Sequence, residues 1–382
     1  MELVVSGRSA MKRRALAALP LAAVGCARRA ENPLLDEAPL VVRPAPTPTT
    51  TALPPVRFPQ DEGPHDVLAE WWYYTGHLRD DVGDEYGFEL VFFRGVRGDR
   101  PPGYAAHFAV TDLARRRFAY DQRQDVALRE PAKPASTARM PGVVAVTSVG
   151  GGFDLQLGGW TMRGLNGRDS LRAEMPSYTL DAQLTARKPP ALHLGFPPIF
   201  PGLISFGPAG ASYYYSRTKM DVGGTLTVDG RPRSISGSAW MDHQWGDFLV
   251  LGGGGWDWFA VSLDDDRELT LSVIRDERGQ TVVQYGTLVT AGGEALHVPP
   301  GSIALAATGT WRSPRTGVTY PAGWRIVVQE QDLDVTLIPV LADQELDTRA
   351  STGVIYWEGA VEVRDARDRA VGKGYVELTG YK

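Results

Sequence analysis

The segment Trp240-Met241-Asp242-His243-Gln244-Trp245-Gly246-Asp247 is the densest cluster of polar and aromatic side chains in the sequence. An aspartate beside a histidine can fix the imidazole tautomer and raise its basicity. On a strand, neighbours point to opposite faces, so Asp242 and Gln244 share one side and His243 and Trp245 the other. A second run, Glu70-Trp71-Trp72-Tyr73-Tyr74-Thr75-Gly76-His77-Leu78, puts Glu70, Trp72 and Tyr74 on one face and Trp71, Tyr73, Thr75 and His77 on the other. Both faces are aromatic, as in a barrel wall that packs outward and also lines an interior. A doubly buried strand without chemistry gives the same pattern, because aromatics favour strands in general. Asp257, between Trp256 and Trp258, is a third candidate. His107 lies in the alternating stretch from Tyr104 to Asp112 and reads as a satisfied buried histidine. The run Tyr213-Tyr214-Tyr215 either lines a cavity or simply packs.

Other chemistries are excluded by what is missing. The six histidines form no HExxH or close His-x-His pattern, and there is a single cysteine, so no zinc site is expected. No GxSxG nucleophile elbow occurs, which leaves a secreted hydrolase as a third reading without a nucleophile. Gly252-Gly253-Gly254-Gly255 lacks the lysine of a phosphate loop and reads as a bend. No cofactor and no metal are expected. Net charge is −5, and no basic patch with interleaved aromatics appears, which argues against nucleic-acid binding.

The elements that must position these residues are strands. The chain has 382 residues with 43 glycines and 28 prolines, enough turn formers for many short elements and enough length for two domains. Alternating runs recur, as at 105–111, 152–157, 225–228, 324–328 and 333–337, and helical periodicity is scarce after residue 30. The aromatic run also repeats. Residues 71–81 align with 256–266, and each copy is followed by an apolar strand ending in arginine, Arg94 and Arg275. Gly224, Leu226, Val228, Gly237, Trp240 and Asp242 match Gly359, Val361, Val363, Gly372, Tyr375 and Glu377. The expected architecture is all-β, with two tandem β-barrel domains at 62–247 and 248–382. In this alignment Leu378 stands opposite His243, Gly380 opposite Trp245 and Trp72 opposite Asp257. His243, Trp245 and Asp257 are therefore specialised to one copy, or His243 is a core histidine with an aromatic neighbour.

The N-terminus reads as an address. Lys12-Arg13-Arg14 precede an apolar run from Ala15 to Val24, the pattern of a signal peptide. The run ends at Cys26, the only cysteine, in a lipobox-like setting, so residues 1–26 are expected to be a lipoprotein signal with Cys26 as the lipid anchor. Four bases and one acid fall in residues 1–25, which leaves 36 bases and 44 acids beyond them. Residues 27–61 read as a proline-rich linker, with seven prolines in 31–56. Fully extended, that stretch spans roughly 80 Å. The expected location is the periplasm, lipid-anchored at the outer membrane.

Four motifs together resemble a known family: Glu70 to Leu78, His107-Phe108-Ala109-Val110-Thr111-Asp112, Asp242-His243-Gln244-Trp245-Gly246, and the ending Tyr356 to Tyr381. Over residues 62–382 the chain resembles the AttH and carotenoid 1,2-hydratase family. The resemblance implies two lipocalin-like β-barrels in a secreted protein. Carotenoid hydratases add water to a terminal isoprenoid double bond without a cofactor, through a histidine, an aspartate and tryptophans of the cavity. By motif this implicates His243 and Trp245, with Asp257 and Trp72 as further positions. AttH-like proteins accompany ABC-type permeases, which implies such a partner. The first expectation is thus a lipoprotein that binds an apolar lipid or isoprenoid through Trp72, Tyr74, Trp245 and Tyr214. The alternative is a cofactor-free hydratase. In that version Asp257 protonates the alkene, Trp72 and Trp245 flank the cation, and His243 activates water. His243, Asp257, Trp72 and Trp245 are expected to face one cavity at the domain junction.

Overall fold

Two-residue turns set much of the architecture. Asp229-Gly230 and Asn166-Gly167 have positive φ at both positions, the geometry that joins two antiparallel strands most tightly. The computed structural model describes residues 54–96, 102–126, 145–193, 201–206, 210–248 and 254–382; Cys26, the signal segment and Gly252-Gly253 lie outside the described residues. The first sheet is built from β1 (Ala69–Asp80), β2 (Glu85–Gly95), β3 (Gly103–Asp112), β4 (Arg117–Val126), β5 (Ala145–Val149), β6 (Gly152–Leu157), β7 (Trp160–Leu165), β8 (Arg168–Met175), β9 (Tyr178–Ala186), β10 (Ala191–Leu192), β11 (Leu203–Ser205), β12 (Gly210–Val228) and β13 (Arg231–Phe248). The second uses β14 (Gly255–Leu263), β15 (Glu268–Arg275), β16 (Thr281–Val289), β17 (Ala295–Val298), β18 (Ala304–Ala307), β21 (Trp324–Val328), β22 (Leu333–Pro339), β23 (Glu345–Asp347), β24 (Ile355–Asp365) and β25 (Ala370–Thr379), while β19 (Thr310–Arg312) and β20 (Thr319–Pro321) pair apart.

The first sheet follows the order β4-β3-β2-β1-β13-β12-β9-β8-β7-β6-β5, and the second β17-β16-β15-β14-β25-β24-β22-β21-β18. The chain is all-β, and the sheets are two lipocalin-like barrels in tandem, one nearly closed and one half-closed. Each has its own core. Trp72, Phe88, Phe108, Trp160 and Tyr215 lie in the first, and Phe259, Trp324, Trp357 and Val376 in the second.

Burial patterns distinguish two kinds of strand. β8 and β9 alternate between buried and accessible residues, as expected for a wall with one wet face. β1, β2 and β3 are buried on both faces because their outer side meets the other barrel. There Tyr73, Val91 and Trp240 pack on Trp258, Ala260, Ala360 and Tyr375. The approach is close. A Cβ on Gly87 would lie 2.7 Å from the Tyr375 hydroxyl and 2.8 Å from the Ala360 Cβ.

The strand register reproduces the internal repeat. Trp72 pairs with His243 and Tyr73 with Asp242 across β1 and β13. Asp257 pairs with Leu378 and Trp258 with Glu377 across β14 and β25. Gly237 abuts the carbonyl of His77, and Gly372 that of Ser262, its counterpart in the aligned copy. The alignment slips one strand earlier. Gly224 pairs with Ile235, whereas Gly359 pairs with Val376, so the β12–β13 and β24–β25 hairpins differ in register.

Candidate functional site

The alternation predicted for β1 and β13 sends their two faces to different places. Inward, in the first barrel, the His243 ring stacks on Trp72 (4.6 Å between centroids, 19°) and packs on Trp245 (4.6 Å, 33°). His65, from the segment before β1, lies flat on Trp245 (4.3 Å, 3°), with its ring 5.7 Å from that of His243. Both imidazoles converge on one buried carboxylate. His243 Nε2 is 2.9 Å and His65 Nδ1 2.8 Å from Glu70 Oε1. The His65 backbone N–H donates to Glu70 Oε2 at 3.0 Å. Burial pushes the Glu70 carboxyl up, but the hydrogen bonds from His243 and His65 overcome it and hold the group below its usual value. Burial holds His243 below the ordinary imidazole range despite Glu70.

The outward faces of the same strands meet the second barrel across a cavity of about 460 Å³. Its apolar walls include Trp71, Phe93, Phe206, Phe248, Trp256 and Trp258. Glu89, His107, Asp242, Tyr214, Tyr356 and Glu377 also line it. Glu89 on β2 and Glu358 on β24 form reciprocal bridges between the barrels. Tyr356 donates its hydroxyl to Glu89 Oε1 at 2.9 Å, and Tyr73 donates to Glu358 Oε1 at 2.6 Å. The second oxygen of each carboxyl is buried without a hydrogen-bond partner among the described residues. Desolvation, with repulsion from Glu377, raises Glu89 to about 8 against the lowering effect of Tyr356. Desolvation likewise raises Glu358, and Glu377 to about 7. Asp242 is better solvated by partners. It accepts from Tyr214 (2.7 Å), Trp240 Nε1 (2.7 Å) and Ser216, and burial raises it only to about 6. The cavity thus gathers three raised carboxyls, Glu89 the highest and Asp242, with its three donors, the lowest.

The expected site residues separate into three places. Trp72, His243 and Trp245 come together, and Tyr74 lies in the same barrel with its hydroxyl donating to Asp169 at 2.8 Å. Tyr214 stands on the interdomain cavity, where Trp258 Nε1 donates to it at 3.0 Å. Asp257 is elsewhere. It is ion-paired with Arg275 at 2.8 Å and accepts from the Tyr381 hydroxyl at 3.0 Å. A common cavity for His243, Asp257, Trp72 and Trp245 is therefore corrected. On each strand the residue that reaches the junction is the neighbour, Asp242 beside His243 and Trp258 beside Asp257. His107 is buried and satisfied as expected, 2.7 Å from the Tyr356 hydroxyl and 3.0 Å from Ser351 Oγ, but it also lines the cavity.

A profile of AttH-like proteins matches residues 49–381. The chain belongs to the AttH-like family. A crystal structure of a candidate AttH from Nitrosomonas europaea is 33% identical, with a TM-score of 0.73, and the match covers 86% of this chain and 98% of that one. Kievitone hydratase from Nectria haematococca shares the fold at 17% identity and a TM-score of 0.62, over 88% of this AttH-like chain and 96% of that one. A comparison with curated protein sequences finds no match.

Reading the sequence alone overlooked Glu89, Glu358 and His65. Glu89 and Glu358 carried a signal. Each is a lone carboxylate inside an apolar strand, between Phe88 and Leu90 and between Trp357 and Gly359. Such a residue must find partners or hold its proton. The repeat had already matched Asp242 with Glu377, the two acids that the paired strands turn toward the junction.

Proposed function

We propose that this AttH-like protein binds an apolar, unsaturated molecule of the lipid or isoprenoid class between its barrels and adds water across a carbon–carbon double bond without a cofactor. The observation that carries this reading is an apolar cavity lined by two carboxyls in unlike settings, Glu89 with one donor and a burial-raised pKa of about 8, and Asp242 with three donors and about 6. Groups whose environments drive their pKa values apart make an acid–base pair. Glu89 donates its proton to one alkene carbon. The cation left on the other carbon is stabilised by the faces of Trp71 and Trp258. Water attacks that carbon, and its proton passes to Asp242. Asp242 then releases that proton to solvent and Glu89 takes one back, so both carboxyls return to their starting states and the net change is the gain of one water. A hydratase with the same fold supports this assignment. A pure carrier would need only the apolar walls.

The proposal extends to location. Lipidation of Cys26 would hold the cavity near a membrane, where apolar ligands partition. An ABC-type permease as partner rests on the family resemblance.

The test has two stages. Lipids and isoprenoids that copurify with the membrane-purified protein are identified by mass spectrometry. The purified protein is then incubated with the recovered alkene in oxygen-18 water. The expected product carries one labelled oxygen, and Glu89→Gln abolishes labelling while the ligand still binds. Ligand that binds and returns unlabelled from the unaltered protein refutes hydration and leaves the carrier reading.

A further inference from the structure

The His65–Glu70–His243 cluster adjoins the interdomain cavity, which Glu70 also lines, but has no role in the proposed hydration, and its hydrogen bonding leaves one ring nitrogen unpaired. Glu70 Oε1 lies within 3 Å of a nitrogen on each ring and only accepts, so both inward nitrogens, His65 Nδ1 and His243 Nε2, must carry the protons. In neutral imidazoles the outer nitrogens are then bare lone pairs. His65 Nε2 lies 3.5 Å from Asp61 Oδ1 and donates to it only if the ring carries a proton on that nitrogen as well. His243 Nδ1 is fully buried with no hydrogen-bond partner among the described residues, on the side of the Asp61 backbone carbonyl. A cluster evolved only to cross-link the segment before β1 would gain nothing from this. An unsatisfied buried polar atom costs about 1–3 kcal/mol.

We propose that His65 Nδ1, His243 Nε2 and a Glu70 carboxylate oxygen bind a divalent cation of the zinc class. The three donor atoms already lie within 4.8 Å of one another. Bond lengths of about 2.0–2.2 Å bring such donors somewhat closer, a shift that small ring rotations supply. Ligation replaces the two inward protons and moves each to the outer nitrogen. His65 Nε2–H then donates to the Asp61 carboxylate, and His243 Nδ1–H points toward the Asp61 carbonyl. This is the outer shell that metal-bound histidines characteristically carry. The carboxylates of Glu70 and Asp61 balance a 2+ charge. Trp72 and Trp245 fix the rings by stacking, so the donors are preorganised. Two imidazoles and one carboxylate leave a coordination position for water. His65 is partly accessible and marks the entry side.

Chelator-treated full-length protein is dialysed against Zn2+ and the bound metal counted, with thermal unfolding recorded in parallel. The expected result is one zinc per chain and a raised Tm. His65→Ala and Glu70→Gln should bind at least about tenfold more weakly, and Asp61→Ala should lose about 10–100-fold through the outer shell. His65 and Asp61 are partly accessible, so their variants keep the readout available if Glu70→Gln unfolds. Absence of stoichiometric zinc in the unaltered protein, or unchanged binding in the His65 and Asp61 variants, overturns the proposal. The reading of the interdomain cavity is unaffected either way.

Discussion

Glu89→Gln should make the folded protein increasingly more stable than the unaltered chain as pH rises. Burial lifts the Glu89 carboxyl from 4.5 to about 8 in the folded state. The folded form therefore binds a proton that the unfolded form has released, and stability falls as pH climbs from the unfolded value through the folded one. The slope for one proton is about 1.4 kcal/mol per pH unit. Between pH 5 and pH 8 the penalty grows by roughly 4 kcal/mol and then levels off. Glutamine has the shape of the protonated acid but never ionises. It can still accept from Tyr356, and its amide takes the position of the oxygen that has no partner. Urea denaturation of both proteins at pH 5, 6.5 and 8 measures the difference. The two should be close at pH 5, and the variant should be ahead by several kcal/mol at pH 8. A difference that stays constant over this range would show that Glu89 is ionised in the folded state, and the acid–base assignment would fall with it.

Gly87→Ala should destabilise by about 1–3 kcal/mol, because the new methyl group is wedged against Tyr375 and Ala360. Gly223→Ala is the control, since nothing lies within 4 Å of its Cβ position; equal urea midpoints for the two would refute the close approach of the barrels. Asp257→Asn should cost about 3 kcal/mol by leaving Arg275 without its partner, and activity per folded molecule should survive. A stable but inactive Asp257→Asn protein would restore that aspartate to the reaction. Cys26→Ser should release the protein from membranes, measured by fractionation, and unchanged membrane association would remove the anchor.

The fold was legible because its signals are local or repeated. Aromatic alternation at Trp71–Leu78, the short alternating runs and the aligned copies all act over a few residues or recur at fixed offsets. The two offsets agree with the observed register, in which Trp72 pairs with His243 as Asp257 pairs with Leu378. The site was less legible because its partners are remote. His243 meets Glu70 across 173 residues, and Tyr73 meets Glu358 across 285. No spacing rule reaches that far. The asymmetry between the copies directed attention to His243, Trp245 and Asp257. It did not show which side of each strand faces the junction, and that is decided by the packing of one barrel on the other. His65 passed unremarked because it lies before the first strand and acts only once β13 brings His243 beside Glu70.

The doubly buried strands also close off an evolutionary route. In a single-barrel ancestor the outer side of β1 and β13 would have met water. Here that side presents Tyr73 and Trp240 to the second barrel, and the second answers with Trp258 and Tyr375. Either half alone would expose a contiguous aromatic patch, and the half-closed sheet would also keep open edges at β17 and β18. Duplication has thus become a ratchet. Such a chain can drift in its loops and outer strands, but its halves can no longer be lost, exchanged or recombined as independent modules.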